Sequence, residues 1–211
     1  MIYWFGLWAG EIRRPNFRGR AVRLIANVHG CHICYHNFMP KLIIVRGPSG
    51  SGKSTVCNEL LDRSSEPLLL VGEDKLRKMF SDHRSTPHPA SEQLALQAIR
   101  IGLENGYHVV YQGILNAKSG EFRPNELLQL HPTETYFFYL DVGFEKTIER
   151  HQTRHKRDKF GADAMKRWWD YSSPLEHELE TLIPESSSLD DTLATICKVT
   201  GLGLAPAVAQ G

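Results

Sequence analysis

Residues 42–55 read LIIVRGPSGSGKST, an apolar run followed by a glycine-rich turn that ends in lysine, serine and threonine. From Gly47 onward, Gly47, Pro48, Ser49, Gly50, Ser51, Gly52, Lys53, Ser54 and Thr55 match the phosphate-binding pattern G-x-x-x-x-G-K-[ST] in full. The residue types follow from the chemistry. Glycines let backbone amides curl around phosphate oxygens without Cβ clashes, and the loop hands those oxygens to the positive end of the helix that follows. Lys53 is placed to reach the β- and γ-phosphates of a bound nucleotide. The Ser54 hydroxyl suits Mg²⁺, a small hard cation that one or two protein groups usually hold together with phosphates.

Outward from this loop, short apolar runs alternate with longer helical patterns, the signature of βαβ units and a parallel sheet covered on both faces. Strands are expected at Leu42–Arg46, Leu68–Val71, His108–Tyr111, Thr135–Leu140 and Glu180–Ile183. Helices are expected at Lys53–Arg63, Asp74–Ser81, Ser91–Glu104, Pro124–Leu130 and from Phe144 to about His155. Leu94, Ala98 and Ile101 form an i, i+4, i+7 stripe expected to face the core, and Asn105 with Gly106 supplies a stop. Ser188 followed by Asp191 reads as a capping box opening a last helix to about Val199.

A phosphate loop alone serves many enzymes. The chain carries neither N-K-x-D nor L-S-G-G-Q, and it has no length for the second lobe of larger motors, which leaves a small ATP-dependent kinase. Such an enzyme needs a carboxylate near the acceptor hydroxyl and cations that stabilise charge on the transferring phosphoryl group. Glu73 and Asp74 stand at the end of the second strand, where open parallel sheets bind ligands. Asp74 and Arg77 share a helix face, which suits a general base and metal-side carboxylate beside a cation for substrate phosphate or carboxylate; helix capping is the plainer role for Asp74. Residues 150–167 hold seven basic residues against Asp158 and Asp163, and Arg150, Arg154 and Arg157 share a stripe, which reads as a lid whose arginines contact phosphates. Trp168, Trp169 and Tyr171 follow, expected to pack more than to stack on a planar substrate. The third strand ends in Gln112 where many enzymes of this type place an acid.

The run from Met39 to about Leu202 resembles the small P-loop kinase group that includes polynucleotide 5′-hydroxyl kinases, chloramphenicol phosphotransferase and zeta toxins. The resemblance rests on GPSGSGKST, on Asp74-x-x-Arg77, on YQGIL and on YLDVGFEKTIERHQTR entering an arginine-bearing lid. It implies an α/β P-loop NTPase fold, a three-layer sandwich with a five-stranded, mostly parallel sheet and a helical lid. It also implies Lys53 and Ser54 on phosphate and Mg²⁺, Asp74 as general base, and lid arginines at Arg150 or Arg154. Gln112 departs from the acid common in the group. Two further readings stay open: a nucleotide-binding regulatory module with little turnover, motivated by Gln112, and a kinase of RNA or DNA 5′-hydroxyl ends.

Composition bounds the rest. Twenty-five basic and 24 acidic residues give a net charge of +1, which is not the footprint of a domain that binds long nucleic acid nonspecifically. Partners are therefore expected to be ATP and a hydroxyl-bearing small molecule, with no membrane and with nucleic acid not favoured. Four scattered cysteines read as reduced thiols in a cytoplasmic protein. Cys31-x-x-Cys34 among His29, His32 and His36 lacks the second pair that a structural zinc site needs. Residues 1–40 hold one acid, Glu11, and five arginines, against an acidic balance in the remainder. Three segments are expected: an extension over 1–38, disordered or outside the functional chain, a kinase domain over 39–202, and a loose tail over 203–211.

Overall fold

The computed structural model describes residues 22–23, 36–37, 39–82, 88–115, 124–131, 134–152, 162–170, 172–175 and 178–206. By its internal contacts the chain divides into two units, Met1–Phe38 and Met39–Gly211. In the first, β1 (Val22–Arg23) pairs antiparallel with β2 (His36–Asn37). The expectations of a disordered extension and of an isolated Cys31/Cys34 pair otherwise fall outside the described residues.

In the second unit the strands are β3 (Leu42–Arg46), β4 (Leu68–Gly72), β5 (His108–Gln112), β6 (Thr135–Asp141) and β7 (Glu180–Pro184). They form one sheet in the order β4-β5-β3-β6-β7, and every pair is parallel. The helices are α1 (Lys53–Arg63), α2 (Glu73–Arg77), α3 (Pro89–Glu104), α4 (Pro124–Leu130), α5 (Phe144–Gln152), α6 (Ala162–Asp170) and α7 (Leu189–Thr200). Successive strand residues point to opposite faces. Ile43 and Val45 accordingly pack with Leu60, Phe138 and Ile196 on the face covered by α1 and α7. Leu42 and Ile44 pack with Ile99, Val109 and Leu127 on the face covered by α3 and α4. A strand buried on both faces must be apolar along its whole length, which is why LIIV reads as a continuous run.

Three expectations are corrected. The buried stripe of α3 is Ser91, Ala95, Ile99 and Gly102, while Leu94 and Ile101 face outward. Close approach decides the rotation: a Cβ on Gly102 would lie 2.8 Å from both Leu69 Cδ2 and Val109 Cγ2, so the glycine faces the sheet and takes its stripe with it. The second helix ends at Arg77, with turns beyond it. Residues 203–205 are not loose: Ser65 N–H donates to the Gly203 carbonyl, Ala205 N–H to that of Arg63, and Leu204 bridges Ser64.

Helix α6 was not foreseen in the sequence. The capping box of α7 was, and Ser188 Oγ accepts from Asp191 N–H at 3.1 Å while the Asp191 carboxylate accepts from Ser188 N–H.

Candidate active site

The phosphate loop leaves β3 at Gly47, whose φ of 143° takes it past the Leu140 carbonyl, only 2.9 Å from where a Cβ would sit. Gly50 and Gly52 also have positive φ, and Gly52 caps α1 without a side chain. Lys53 Nζ bends back over the loop and donates to the carbonyls of Gly47 and Pro48 at 2.8 and 2.7 Å. Those carbonyls hold the ammonium against the loop.

Arg150 is brought to the same loop. Its Nη1 donates to the Ser51 carbonyl at 2.7 Å, and its Nη2 reaches the Glu185 carbonyl. Beside it opens a cavity of about 290 Å³ lined by Ser51, Gly52, Thr55, Glu185 and Ser188 among others. Glu185 Oε2 in turn accepts from Gly143 N–H at 2.9 Å, tying the β6–α5 turn to the loop after β7. Arg154 and Arg157 lie outside the described residues.

Across the sheet end stand Glu73 and Asp74. Asp74 does not cap α2, because Gly72 occupies that position; its carboxylate is bonded by Lys78 and, at 3.4 Å, by Arg77. Partial burial pulls its carboxyl upward, but hydrogen bonds and charge from Lys78 and Arg77 outweigh this and hold it below the ordinary value of 3.8. Asp74 is therefore ionised at neutral pH. Gln112 ends β5 between Val45 of β3 and Gly72 of β4, and its buried Oε1 has no hydrogen-bond partner.

The donor set fits a Mg²⁺ carried in with a nucleotide. The Ser54 hydroxyl is exposed at the start of α1 and the Asp74 carboxylate is ionised, a sparse oxygen set of the kind Mg²⁺ shares with phosphates and water. Among the described residues no group of three His, Cys, Asp or Glu forms a metal site of its own.

Sequence reasoning missed Arg46. It is fully buried one residue before the loop, and its Nε and Nη2 donate to the Leu115 carbonyl at 3.0 and 2.7 Å while Nη2 also donates to the Ser173 carbonyl. Its charge inside an apolar run was the available signal. Also missed were Thr147 and Met165, which press on Gly50 from α5 and α6. Trp169 packs, as expected: its Nε1 donates to the Val142 carbonyl and its ring meets Phe144 edge-on. The Trp168 side chain and Tyr171 lie outside the described residues.

The AAA domain family matches residues 42–171, from the first strand of the sheet through α6. The chain belongs to that family. Its fold is that of the small P-loop kinases. A sugar kinase from Janibacter sp. HTCC2649 superposes with a TM-score of 0.59 at 15% identity, over 75% of this chain and 93% of that one. A gluconokinase from Sinorhizobium meliloti 1021 gives 0.57 at 21% identity, over 77% and 95%. The Mycobacterium tuberculosis APS kinase in complex with AMPPNP and APS gives 0.54 at 17%, over 76% and 98%. No curated protein matches the sequence. Among the described residues no helix of this AAA domain protein is long and apolar enough to cross a membrane.

Proposed function

We propose that this protein is an ATP-dependent kinase that transfers the γ-phosphoryl group to a hydroxyl of a small molecule or nucleotide. The observation that carries the reading is the strand order. The phosphate loop follows β3 and Asp74 follows β4, with β5 between them. Two strand spacings separate β3 from β4 by about 10 Å, which leaves room between the loop and α2 for a phosphoryl group and an attacking hydroxyl in this reading.

In this reading the loop amides and the N-terminus of α1 bind the β- and γ-phosphates, and Lys53 turns from its two carbonyls to their oxygens. Ser54 and Asp74 would hold Mg²⁺, which would supply charge neutralisation on the phosphates when bound. The acceptor oxygen forms its bond to γ-phosphorus as the bond to the β–γ bridging oxygen breaks, ADP departs, and the hydroxyl proton goes to the Asp74 carboxylate. Arg77 steadies Asp74 and the acceptor. Arg150, already on the loop, and Arg154 oppose the charge of the transferring group, and closure of α5 and α6 excludes water. The free thiols of Cys57 and Cys197 suit a cytoplasmic setting. The kinase unit is taken to begin near Met39, with residues 1–38 outside it.

Gln112 favours a second reading, a nucleotide-binding module with little turnover, since an amide cannot supply the charge of an acid. Measuring ADP release with and without a panel of hydroxyl acceptors, 5′-hydroxyl oligonucleotides included, separates the two. Acceptor-dependent ADP release that Asp74→Asn abolishes supports the kinase; nucleotide binding with no acceptor dependence supports the module.

A further inference from the structure

Arg46 ends the otherwise apolar strand LIIVR, and its side chain is fully buried one residue before the phosphate loop. Along β3 it follows Leu42 and Ile44 on the face covered by α3 and α4. Stability alone does not call for a charge there, because hydrophobic residues of similar volume often serve as well or better than a buried ion pair. The guanidinium instead binds three separate stretches of chain. Nε and Nη2 donate to the Leu115 carbonyl, just past the end of β5, Nη2 also donates to the Ser173 carbonyl at 3.1 Å, and Nη1 meets Glu180 Oε1 on β7.

Each stretch leads to a part of the candidate active site. Gly113, two residues before Leu115, donates its N–H to the Val45 carbonyl, and a Cβ on it would lie 3.0 Å from that of Glu73, the neighbour of Asp74. Segment 172–175 follows α6, whose Met165 Cε lies 3.4 Å from where a Cβ on Gly50 would sit. That segment is fastened twice more, since Glu180 Oε2 accepts from Leu175 N–H and Tyr139 Oη, on the residue paired with Arg46, lies 3.0 Å from Ser172 Oγ. Leu115 itself has a φ of 48°, which a leucine rarely adopts; such outliers persist only where the surroundings fix them, and they cluster at functional sites.

We propose that Arg46 is a positioning residue for phosphoryl transfer, holding the turn after β5 and the segment after α6 in one register with the phosphate loop. This rests on the kinase reading above. Closed off from solvent, Arg46 acts through the backbones it binds. Lysine cannot replace it, because a single ammonium nitrogen does not span two carbonyls and a carboxylate, whereas the planar guanidinium presents donors along separate edges. Misplacing reacting groups by about 1 Å costs about 100-fold in rate. Nucleotide affinity should be spared, since the phosphates are gripped locally by residues 47–55.

The test uses the full chain with Mg²⁺ and compares wild type with Arg46→Lys, Tyr139→Phe and Gly102→Ala. Calorimetry reads AMPPNP affinity. Label transfer from γ-labelled ATP is read with water, sugars, nucleosides and 5′-hydroxyl oligonucleotides as acceptors. Hydrogen exchange is read at Gly113 and Leu175, whose N–H groups donate to the Val45 carbonyl and to Glu180. Arg46→Lys should lower kcat by about 10- to 100-fold with AMPPNP affinity and the ATP KM unchanged, and both amides should exchange faster. Tyr139→Phe, which removes the contact to Ser172 and strands no charge, should move kcat and the Leu175 amide the same way by less. Gly102→Ala, which disturbs the packing of α3 and none of these bonds, should lose stability with kcat and both amides unchanged. The role is overturned if kcat in Arg46→Lys falls no further than in Gly102→Ala, if AMPPNP affinity falls as much as kcat, or if both amides exchange faster with kcat intact. Where Arg46→Lys does not fold, an unchanged kcat in Tyr139→Phe overturns it. Wild-type protein that binds AMPPNP yet transfers to nothing, water included, sinks the kinase reading first, and the positioning role goes with it.

Discussion

Arg46 Nη1 lies 2.5 Å from Glu180 Oε1, and neither side chain is exposed to water by more than 1%. The pair joins β3 to β7 across β6, and the other oxygen of Glu180 accepts from Leu175 N–H at 2.5 Å. Removing one partner leaves a buried charge alone. Arg46→Met or Glu180→Gln should cost about 3–5 kcal/mol, and the double variant Arg46→Met/Glu180→Leu should recover part of it. Urea unfolding of the three variants measures this; equal loss in the single and double variants would show that the hydrogen bonds to Leu115 and Ser173 matter more than the charge pair.

Lys53→Met should lower nucleotide affinity by about 100-fold or more without loss of stability, since the ammonium's present bonds are to loop carbonyls and its removal creates no cavity. Calorimetric titration with AMPPNP alongside thermal unfolding checks both halves.

Lys78 and Arg77 hold the Asp74 carboxyl below its ordinary value of 3.8, so the carboxylate persists until pH falls beneath that value. Acceptor-dependent kcat/KM should therefore keep its base form at pH 5, with the acid limb lying below pH 4. Lys78→Met removes a partner, raises the Asp74 pKa and should move that limb upward. Asp74→Asn should cost about 10²–10⁴-fold in kcat while AMPPNP still binds.

His108 is buried, and burial pushes its pKa below the ordinary 6.5 against the opposing pull of Glu66, so the folded protein prefers neutral imidazole. Its Nδ1 accepts from Lys41 N–H at 2.9 Å, a bond that requires the unprotonated nitrogen. A depressed histidine stabilises fully above its unfolded value, so stability should fall as pH drops below 6.5 and level off beneath the folded pKa. His108→Gln should flatten that slope in urea midpoints taken between pH 7.5 and 5.

Gly102→Ala should destabilise by about 1–3 kcal/mol, although alanine gains about 1 kcal/mol in helix propensity, because its Cβ meets Leu69 and Val109 at 2.8 Å. Ile101→Lys, on the outward face, should change stability by less than about 0.5 kcal/mol. Chemical denaturation of the two decides which face of α3 is buried.

Much of the fold was legible because its signals are local. An all-apolar run has to be buried on both sides, GPSGSGKST demands a strand before it and a helix after it, and Ser188 with Asp191 makes a cap from residues three apart. The rotation of α3 was not legible, since it depends on how closely Gly102 approaches a leucine and a valine from other strands. Nor was α6, whose buried Met165 packs beside Gly50 of the phosphate loop, more than a hundred residues away.

The phosphate loop, the five parallel strands and the strand end from which Asp74 emerges are all written in neighbouring residues, so the order of the amino acids was enough to locate them. It took the closed fold to bond the loop after β5 to the segment after α6 through Arg46, to rest Arg150 on Ser51, and to leave Arg77, Gln112 and Ser173 with buried polar atoms that have no hydrogen-bond partner. The bonds among them join residues 69 to 127 positions apart, from Arg46 and Leu115 to Arg46 and Ser173. No spacing within one helix or strand records them; they arise when the chain closes its sheet.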